Sequence, residues 1–510
     1  MDVILEGPGL SIEDVVGVAR QGAPVRLGLG VRERMAPSRA VVERAVAEGA
    51  TVYGVTTGFG LLANERIPAE EALSLQERLL RSHACGTGEP LADEVVRAML
   101  LLRARSLAMG MSGVRFELVE RMVEMLNAGI VAVVPSKGSV GASGDLAPLA
   151  HLSLALLGEG QARVDGETIA AAEALARKGL KPFVLGAKEG LSLLNGTDGM
   201  LAMLCLALAD TANVLRCADV TCAMSLEALL ATDRPLDPRV QALRPHPGQR
   251  DSASNIRLLV GESPLVAGHR ESTHALQDAY CLRCAPQVHG AVRDAYAFAR
   301  GIAERELESA VDNPVVFADT KEVISTGNFH GAPLALACDV LAIALTDLAS
   351  ISERRMDRML DPALSSGLPP FLTPKPGLDS GMMLVQYTAA AIVAECKVLA
   401  HPASVDSIPT SGNQEDHVSM GFYAARKLRE VVSNVGVVLG LEALCAAQGL
   451  DFRLPVSPGP GTAAAHACLR RRVAFLGEDR YMAPDVAAAR CVVEDGSLVA
   501  AVVEAVGPLA

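Results

Sequence analysis

Apolar residues recur at spacings of three and four over several long stretches of the chain, with polar residues between them. In residues 91–109, Val95, Met99 and Leu102 follow this spacing and a glycine ends it, which predicts an amphipathic helix. Residues 334–360 carry a seven-residue repeat, which favours helices packed nearly parallel. Similar apolar stretches predict helices over 115–128, 380–402 and 421–450.

Patterns that would indicate β-strands are few and short. They occur near residues 24–29 and on either side of a turn at 164–168. The composition agrees with a helical chain, because half of the residues are hydrophobic while only 3% are aromatic and tryptophan is absent. Alanine, leucine and valine must therefore fill the core, and these residues favour helices over sheets as a group. We predict an all-α fold.

Charge and hydropathy narrow the possible partners. The formal net charge is −13 and the pI is near 5.4, so nucleic-acid binding is not expected. The mean hydropathy is +0.29, but charges such as Asp210, Arg216, Asp347 and Glu395 interrupt the apolar runs. We expect no membrane span, and we expect helices that are buried on several faces, within a bundle or between subunits.

The first residues of the chain and its cysteines indicate the cellular compartment of the protein. The first residues include acids where a secretory signal would carry lysine or arginine, and their apolar run is short. The 11 cysteines are odd in number, which is unusual for a disulfide framework. We therefore expect reduced cysteines and a cytoplasmic location.

Polar, glycine-rich islands interrupt the helical pattern, and in a helical scaffold a functional site is expected in such islands. The island "GSVGASGDLAP", residues 138–148, consists mostly of glycine and residues with small side chains. A flexible turn is one interpretation. A phosphate-binding loop would need a preceding strand and a following lysine, and a nucleophilic serine would need a different glycine spacing.

A further interpretation uses the backbone of Ala142, Ser143 and Gly144. In a tight bend the Gly144 amide nitrogen can approach the Ala142 carbonyl carbon, because glycine has no Cβ to block it. Attack and loss of water close a five-membered ring, and loss of the Ser143 hydroxyl as a second water leaves a methylidene. The product, a methylidene-imidazolone (MIO), is an electrophile, which ordinary side chains cannot supply.

At these residues the chain resembles the MIO-dependent aromatic amino acid lyases. The resemblance extends over essentially the whole chain and includes seven motifs in family order. They are "YGVTTGFG" (53–60), "SHACGTGEPL" (82–91), "GSVGASGDLAPLAH" (138–151), "LLNGT" (193–197), "QDAYCLRCAPQV" (277–288), "STGNFHG" (325–331) and "IPTSGNQEDHVSM" (408–420).

The resemblance implies roles for individual residues of this sequence. Ala142, Ser143 and Gly144 would form the ring, with Asp145 as a helper in that step. Tyr53 and Tyr280 resemble the family's catalytic tyrosines. The substrate-binding residues would be His83, Asn195, Gln277, Arg283, Phe329 and Glu415.

These substrate-binding residues would have separate tasks. Arg283 would clamp the substrate carboxylate with its planar guanidinium. Asn195 would bind that carboxylate or orient the ring oxygen, Gln277 would support the electrophile, and Phe329 would form a wall beside it. Glu415 would contact the substrate and could also take the β-proton.

Within the family, the run "NQEDH" with Glu415 is similar to histidine ammonia-lyases. An imidazole has two polar nitrogens that a buried site must satisfy, and His83 with Glu415 can do so. This predicts conversion of L-histidine to trans-urocanate and ammonia. The alternatives are a tyrosine or phenylalanine ammonia-lyase and a tyrosine 2,3-aminomutase. Differences from the usual family pattern, such as Thr56 and Asp198, lie mostly near the expected site.

Other classes of protein remain as alternatives when the residues are taken singly. Tyr53 or Tyr280 alone fits an ordinary buried tyrosine, and Glu415 alone fits a helix cap. A non-catalytic helical assembly protein would have lost the tripeptide or the tyrosines, whereas this chain keeps both. A metalloenzyme is disfavoured because the ten histidines show no metal-ligand spacing.

The resemblance also implies an architecture. It is a long-helix bundle of the fumarase and aspartase type with a smaller mixed N-terminal domain. We expect residues 1–110 to form that domain, with the catalytic tyrosine loop, and residues 111–510 to form the bundle that carries the tripeptide. The family's active sites are shared between the subunits of a homotetramer, which would bury further helix faces.

Overall fold

A computed structural model of the chain describes residues 2–50, 57–58, 65, 67, 71–269 and 276–510. Helices make up 60% of the chain as described, so the prediction of a mainly helical fold is confirmed. The chain divides into two compact units. The first comprises Met1–Ala209, Arg300–Asp339 and Pro402–Arg426, and the second comprises Asp210–Ala299, Val340–His401 and Lys427–Ala510. The domain boundary near residue 110 stays a prediction.

The first unit contains most of the shorter helices that precede residue 200. Ser11 caps α1 through a reciprocal pair of hydrogen bonds with Asp14, which satisfies amide groups that the first turn leaves without partners. These helices are α1 (Ile12–Gln21), α2 (Val31–Ala47), α3 (Ala72–His83), α4 (Asp93–Ala108), α5 (Phe116–Asn127), α6 (Leu146–Leu156), α7 (Ala171–Arg177) and α8 (Glu189–Leu194).

All strands found among the described residues belong to the first unit, and they are short. They pair as β1 with β2 in parallel, and as β3 with β5, β4 with β6, β6 with β7 and β8 with β9 in antiparallel fashion. The strands are β1 (Val3–Leu5), β2 (Val25–Leu27), β3 (Thr87–Pro90), β4 (Val131–Ala132), β5 (Pro135–Lys137), β6 (Gln161–Val164), β7 (Glu167–Ala170), β8 (Val315–Phe317) and β9 (Glu322–Ile324).

Four long helices have residues in both units, since their ranges cross the boundaries between them. They are α9 (Asp198–Ala228), α14 (Ala285–Leu307), α15 (Ala332–Leu360) and α17 (Gly421–Asp451). The remaining helices belong to the second unit. They are α10 (Pro238–Ala242), α11 (Pro247–Leu259), α12 (Pro264–His269), α13 (Tyr280–Arg283), α16 (Met383–Leu399), α18 (Pro460–Arg470), α19 (Ala483–Glu494) and α20 (Ser497–Val506).

The predicted helices are found within a few residues of their expected ends. The stretch 91–109 forms α4, in which every residue from Val95 to Ala108 except Arg97 is buried. The stretch 164–168 is the turn between β6 and β7. The strand expected near 24–29 is β2. Periodicity identified the helices because each buries apolar positions that recur along one face.

The expectation that charges interrupt every apolar run too early for a membrane span is wrong for three helices. By length and composition alone, α9, α15 and α17 are each apolar enough to cross a membrane. The reason is that each helix contains an 18-residue stretch with no more than two charged residues. Of these stretches, 72%, 56% and 78% are buried inside the protein, so much of their apolar surface has protein packing partners.

Candidate active site

The tripeptide Ala142-Ser143-Gly144 lies in a bent segment between β5 and α6. Gly144 has a φ of +79° and forms a parallel bridge with Gly196. A Cβ on Gly144 would overlap the Gly196 carbonyl oxygen and lie 2.7 Å from the carbonyl carbon. Both the backbone angle and the close approach therefore require glycine at the third position.

Asp145, which follows the tripeptide, is completely buried. Its Oδ2 accepts hydrogen bonds from the Gly199 amide at 2.8 Å and the Met200 amide at 3.0 Å. Its Oδ1 has no partner among the described residues. Burial raises the pKa of Asp145 to about 8 against the opposing effect of the Met200 and Gly199 amides, which favours the protonated carboxyl group near neutral pH.

A cavity of about 530 Å³ opens beside the tripeptide within the first unit. Four of the predicted site residues line it together, although they come from four separate motifs. These residues are His83, Ser143, Asn195 and Glu415. Leucines from α3, α6 and α8 form much of the remaining wall, which gives the cavity an apolar body with a few polar groups, as is typical of small-molecule sites.

Glu415 is held by a tight turn and faces the tripeptide. Its Oε1 accepts a hydrogen bond from the Ser143 hydroxyl at 3.2 Å, and its Oε2 accepts one from the Thr410 hydroxyl at 2.9 Å. Thr410 and Glu415 also form an antiparallel bridge, and Gly412 between them has a φ of +62°. The turn fixes the carboxylate beside the predicted ring-forming serine.

His83 ends α3 with one ring nitrogen already engaged. Nδ1 lies 2.9 Å from the Leu79 carbonyl oxygen, so we place the imidazole proton on Nδ1. Burial lowers the pKa of His83, while the Leu79 carbonyl and the Glu415 charge oppose that effect. A neutral imidazole in this orientation leaves Nε2 as a hydrogen-bond acceptor for a ligand.

Asn195 is fixed by contacts on both its side chain and its backbone. Its amide nitrogen donates to the Asn313 carbonyl at 2.8 Å, and its own carbonyl accepts from Arg103 Nη1 at 2.9 Å. The same Arg103 nitrogen pairs with Asp198 at 2.9 Å, and both side chains are buried. Asp198, an unusual residue for this motif, thus compensates the buried Arg103.

Met200 links three of the islands by packing against their glycines. A Cβ on Gly141, Gly331 or Gly421 would lie 3.2, 2.8 or 3.3 Å from Met200 Cε, respectively. The sulfur-containing side chain therefore occupies the space that these three glycines leave open. This packing joins the tripeptide loop, the loop before α15 and the start of α17.

Tyr280, Arg283 and Gln277 belong to the second unit. Tyr280 and Arg283 lie on the short helix α13, with the guanidinium carbon 4.5 Å from the centre of the tyrosine ring. Tyr280 is 70% exposed, and Gln277 is also exposed. The buried Arg355 donates to the Cys281 carbonyl at 3.3 Å and pairs with Glu442 at 2.8 Å, which anchors this helix.

The two remaining predicted residues have different positions. Tyr53 lies outside the described residues, so its role stays a prediction. Phe329 is half-buried in the loop before α15 and does not line the cavity among the described residues. Next to it, His330 stacks on His417 with ring centres 5.8 Å apart.

Several supporting residues were not identified from the sequence. Arg103 and Met200 act through residues far along the chain, and neither belongs to a recognisable chemical motif. Thr410 lies within the motif 408–420, but its bond to Glu415 was not predicted. Gly196 within "LLNGT" was a feature of the sequence that could have indicated close packing by Arg103, because a Cβ there would overlap the Arg103 guanidinium. Among the described residues, no group of three histidine, cysteine or acidic side chains is placed to hold a metal ion.

Comparison with known proteins identifies the family. Residues 10–471 match the family described as aromatic amino acid lyase. The chain belongs to the aromatic amino acid lyase family. This family is known for the MIO group.

Individual relatives of this aromatic amino acid lyase can be compared over almost their full length. The histidine ammonia-lyase of Symbiobacterium thermophilum is 54% identical over 509 residues, which cover 100% of both chains. The crystal structure of histidine ammonia-lyase from Trypanosoma cruzi is 40% identical with a TM-score of 0.92, covering 99% of this chain and 96% of that one. The tyrosine aminomutase from Streptomyces globisporus is 37% identical with a TM-score of 0.96, covering 100% of each.

Proposed function

We propose that this chain is a histidine ammonia-lyase that converts L-histidine to trans-urocanate and ammonia. The observation that carries the proposal is the meeting of His83, Glu415 and Ser143 at one cavity. The relatives named above support the choice of substrate, since the histidine ammonia-lyase of Symbiobacterium thermophilum is 54% identical over the full chain.

The tripeptide fits the requirements for forming MIO. Gly144 has the positive φ and the lack of side chain that a tight backbone bend needs. The neighbouring Asp145 is a buried acid whose raised pKa lets it carry a proton into a site of water loss. When formed, MIO supplies an electrophile that makes the substrate amino group a leaving group.

His83 and Glu415 together recognise the substrate ring through hydrogen bonds. Glu415 accepts a hydrogen bond from one ring N–H, and His83 Nε2 accepts one from the other when the imidazole is protonated. A phenyl ring would leave both acceptors without partners, at about 1–3 kcal/mol each. A tyrosine hydroxyl has one hydrogen to donate, so it can satisfy only one of them.

The reaction then requires a base and a carboxylate clamp. The Glu415 carboxylate lies beside the tripeptide, so it can both bind the ring and take the β-proton. Tyr53 and Tyr280 are proposed as the catalytic tyrosines. Arg283 would bind the substrate carboxylate with Asn195, while Gln277 and Phe329 would support the electrophile.

A tyrosine 2,3-aminomutase or tyrosine lyase is the second candidate. The likeness to the Streptomyces globisporus tyrosine aminomutase favours it, at 37% identity and a TM-score of 0.96. The same cavity could hold a phenol whose hydroxyl donates to Glu415. We prefer histidine because three curated relatives that are 51–54% identical over nearly the full chain are histidine ammonia-lyases.

We further propose that the enzyme is a cytoplasmic homotetramer with shared active sites, independent of membranes and nucleic acid. Helix α16 supports this assembly because it carries an exposed apolar stripe spaced by three and four residues. The stripe consists of Leu384, Tyr387, Ala391, Ala394 and Val398. Such spacing favours packing against another helix, and the exposed Tyr280 would also gain a partner in an assembled site.

The experiment that tests the substrate is a product assay with L-histidine, L-phenylalanine and L-tyrosine, read by ultraviolet absorbance. We expect urocanate from L-histidine at a kcat/KM far above that for the other two amino acids. Faster deamination of L-tyrosine or L-phenylalanine would contradict the histidine assignment, and formation of a β-amino acid would favour the aminomutase. The tetramer is tested separately by the mass of the particle in solution.

A further inference from the structure

His151 connects the helix that follows the tripeptide to the segment that carries His83. It lies on α6, and its Nε2 accepts a hydrogen bond from the Gly86 amide at 3.0 Å. Gly86 follows His83 by three residues, and the intervening turn is closed by a bond of 2.9 Å from the Cys85 amide to the His83 carbonyl. A short hydrogen-bonded segment therefore connects His151 to His83, the histidine proposed to contact the substrate ring.

The position of Gly86 is also coupled to the strand that leads into the tripeptide. A Cβ on Gly86 would lie 3.0 Å from the Lys137 carbonyl oxygen and 3.2 Å from His151 Nε2. A Cβ on Gly138 would in turn lie 3.0 Å from Gly86 Cα. Gly86 thus packs closely between the residues before the tripeptide and the helix after it.

The hydrogen bond requires one form of the imidazole. Nε2 must be unprotonated to accept the Gly86 N–H, so His151 is neutral with its proton on Nδ1. Burial, which lowers the pKa of His151, favours this neutral form.

We propose that His151 is a positioning residue, which fixes the His83 imidazole relative to the Ser143 side of the cavity through its bond to Gly86. This inference rests on the proposed function, in which His83 reads the substrate ring. Without the acceptor, the Gly86 amide loses its partner, and the turn that carries His83 can shift. The result is poorer recognition of the substrate with the electrophile still formed.

The test compares His151→Gln with His151→Met. The two side chains have similar length, but only glutamine offers an oxygen that can accept the Gly86 N–H. We expect His151→Met to lower kcat/KM for L-histidine roughly tenfold or more, mainly through KM, because the unpartnered amide disturbs ring binding. His151→Gln should recover most of that loss, and both variants should show the mass loss of two waters that marks ring formation.

A double-mutant cycle separates action through His83 from a general structural effect. In a His83→Ala background, His151→Met should change kcat/KM by less than about twofold, since the positioned group is gone. An equal loss in both backgrounds, or equal kinetics for methionine, glutamine and wild type, would overturn the proposal. Wild type that produces no urocanate would instead contradict the proposed function.

Chemical modification of His83 tests the positioning role of His151 without requiring turnover. Failure of that role can therefore be distinguished from failure of the proposed function. Diethyl pyrocarbonate modifies the free nitrogen of a neutral imidazole, and peptide mass spectrometry measures its rate at His83. We expect His151→Met to change that rate, with His151→Gln close to wild type. The same rate in all three proteins, at equal thermal stability, would overturn the positioning role even in an inactive enzyme.

Discussion

The substitution Gly144→Ala tests the backbone geometry of the tripeptide most sharply. The φ of +79° costs an L-residue about 1–2 kcal/mol. The new Cβ would also lie 2.7 Å from the Gly196 carbonyl carbon. Because Arg103 and Asp198 pack closely against Gly196, this segment has little room to move, and overpacking adds about 1–3 kcal/mol. We expect a total destabilisation of about 2–5 kcal/mol, which is the sum of these two effects.

The chain offers a matched control for the backbone effect. Gly129 has a φ of +70°, but an added Cβ would meet nothing within 4 Å. Gly129→Ala should therefore cost about 1–2 kcal/mol and leave activity intact. Urea unfolding measures both free energies of unfolding, and the histidine assay measures activity.

Gly144→Ala and Gly129→Ala should differ most in ring formation and in catalytic activity. In Gly144→Ala the loop must move away from Gly196, and the new Cβ obstructs the tight bend in which the nitrogen of residue 144 reaches the Ala142 carbonyl carbon. Urocanate formation and the mass loss of two waters should therefore both disappear. If Gly144→Ala were as stable and as active as Gly129→Ala, the close approach of Gly144 to Gly196 would have no role in stability or in ring formation.

Three further predictions concern Glu415, Asp145 and the stripe on α16. Glu415→Gln should lower kcat by about two to four orders of magnitude if the carboxylate takes the β-proton, and unchanged histidine turnover would exclude that role. The pKa of Asp145 is raised from 3.8 in the unfolded chain to about 8, so the folded chain binds the extra proton and its free energy of unfolding should fall as the pH rises from about 4 to about 8. Asp145→Asn should flatten this decline in urea titrations at several pH values, whereas an identical slope would show that the group does not titrate in that range. Tyr387→Lys on the stripe should dissociate the proposed tetramer in sedimentation experiments and reduce activity. Leu29→Lys, at a residue that is 98% exposed, is the control that should leave the assembly unchanged.

The sequence was most informative where function limits the choice of residue. The tripeptide, His83, Asn195 and Glu415 could be named from their motifs, and the structure brings one member of the tripeptide, Ser143, together with the other three at one cavity. Their roles stay predictions. Periodicity also located the long helices, since each buries a regular set of apolar positions.

Long-range packing could not be predicted in the same way. The pair between Arg103 and Asp198 joins residues 95 positions apart, and nothing in either local sequence indicates the other. The contacts of Met200 with three glycines likewise depend on how separate loops meet. Such contacts are specified by the shape of the folded core, which no local pattern contains.

In the proposed function, the backbone of Ala142, Ser143 and Gly144 becomes the electrophile of the lyase. The most direct measurement is the intact mass of the active wild-type chain beside that of Ser143→Ala, because alanine has no hydroxyl to lose. We expect a wild-type mass two waters below that of the unmodified sequence, and no methylidene and no urocanate formation in the variant. An active wild-type chain with the unmodified mass would contradict the formation of MIO from this tripeptide.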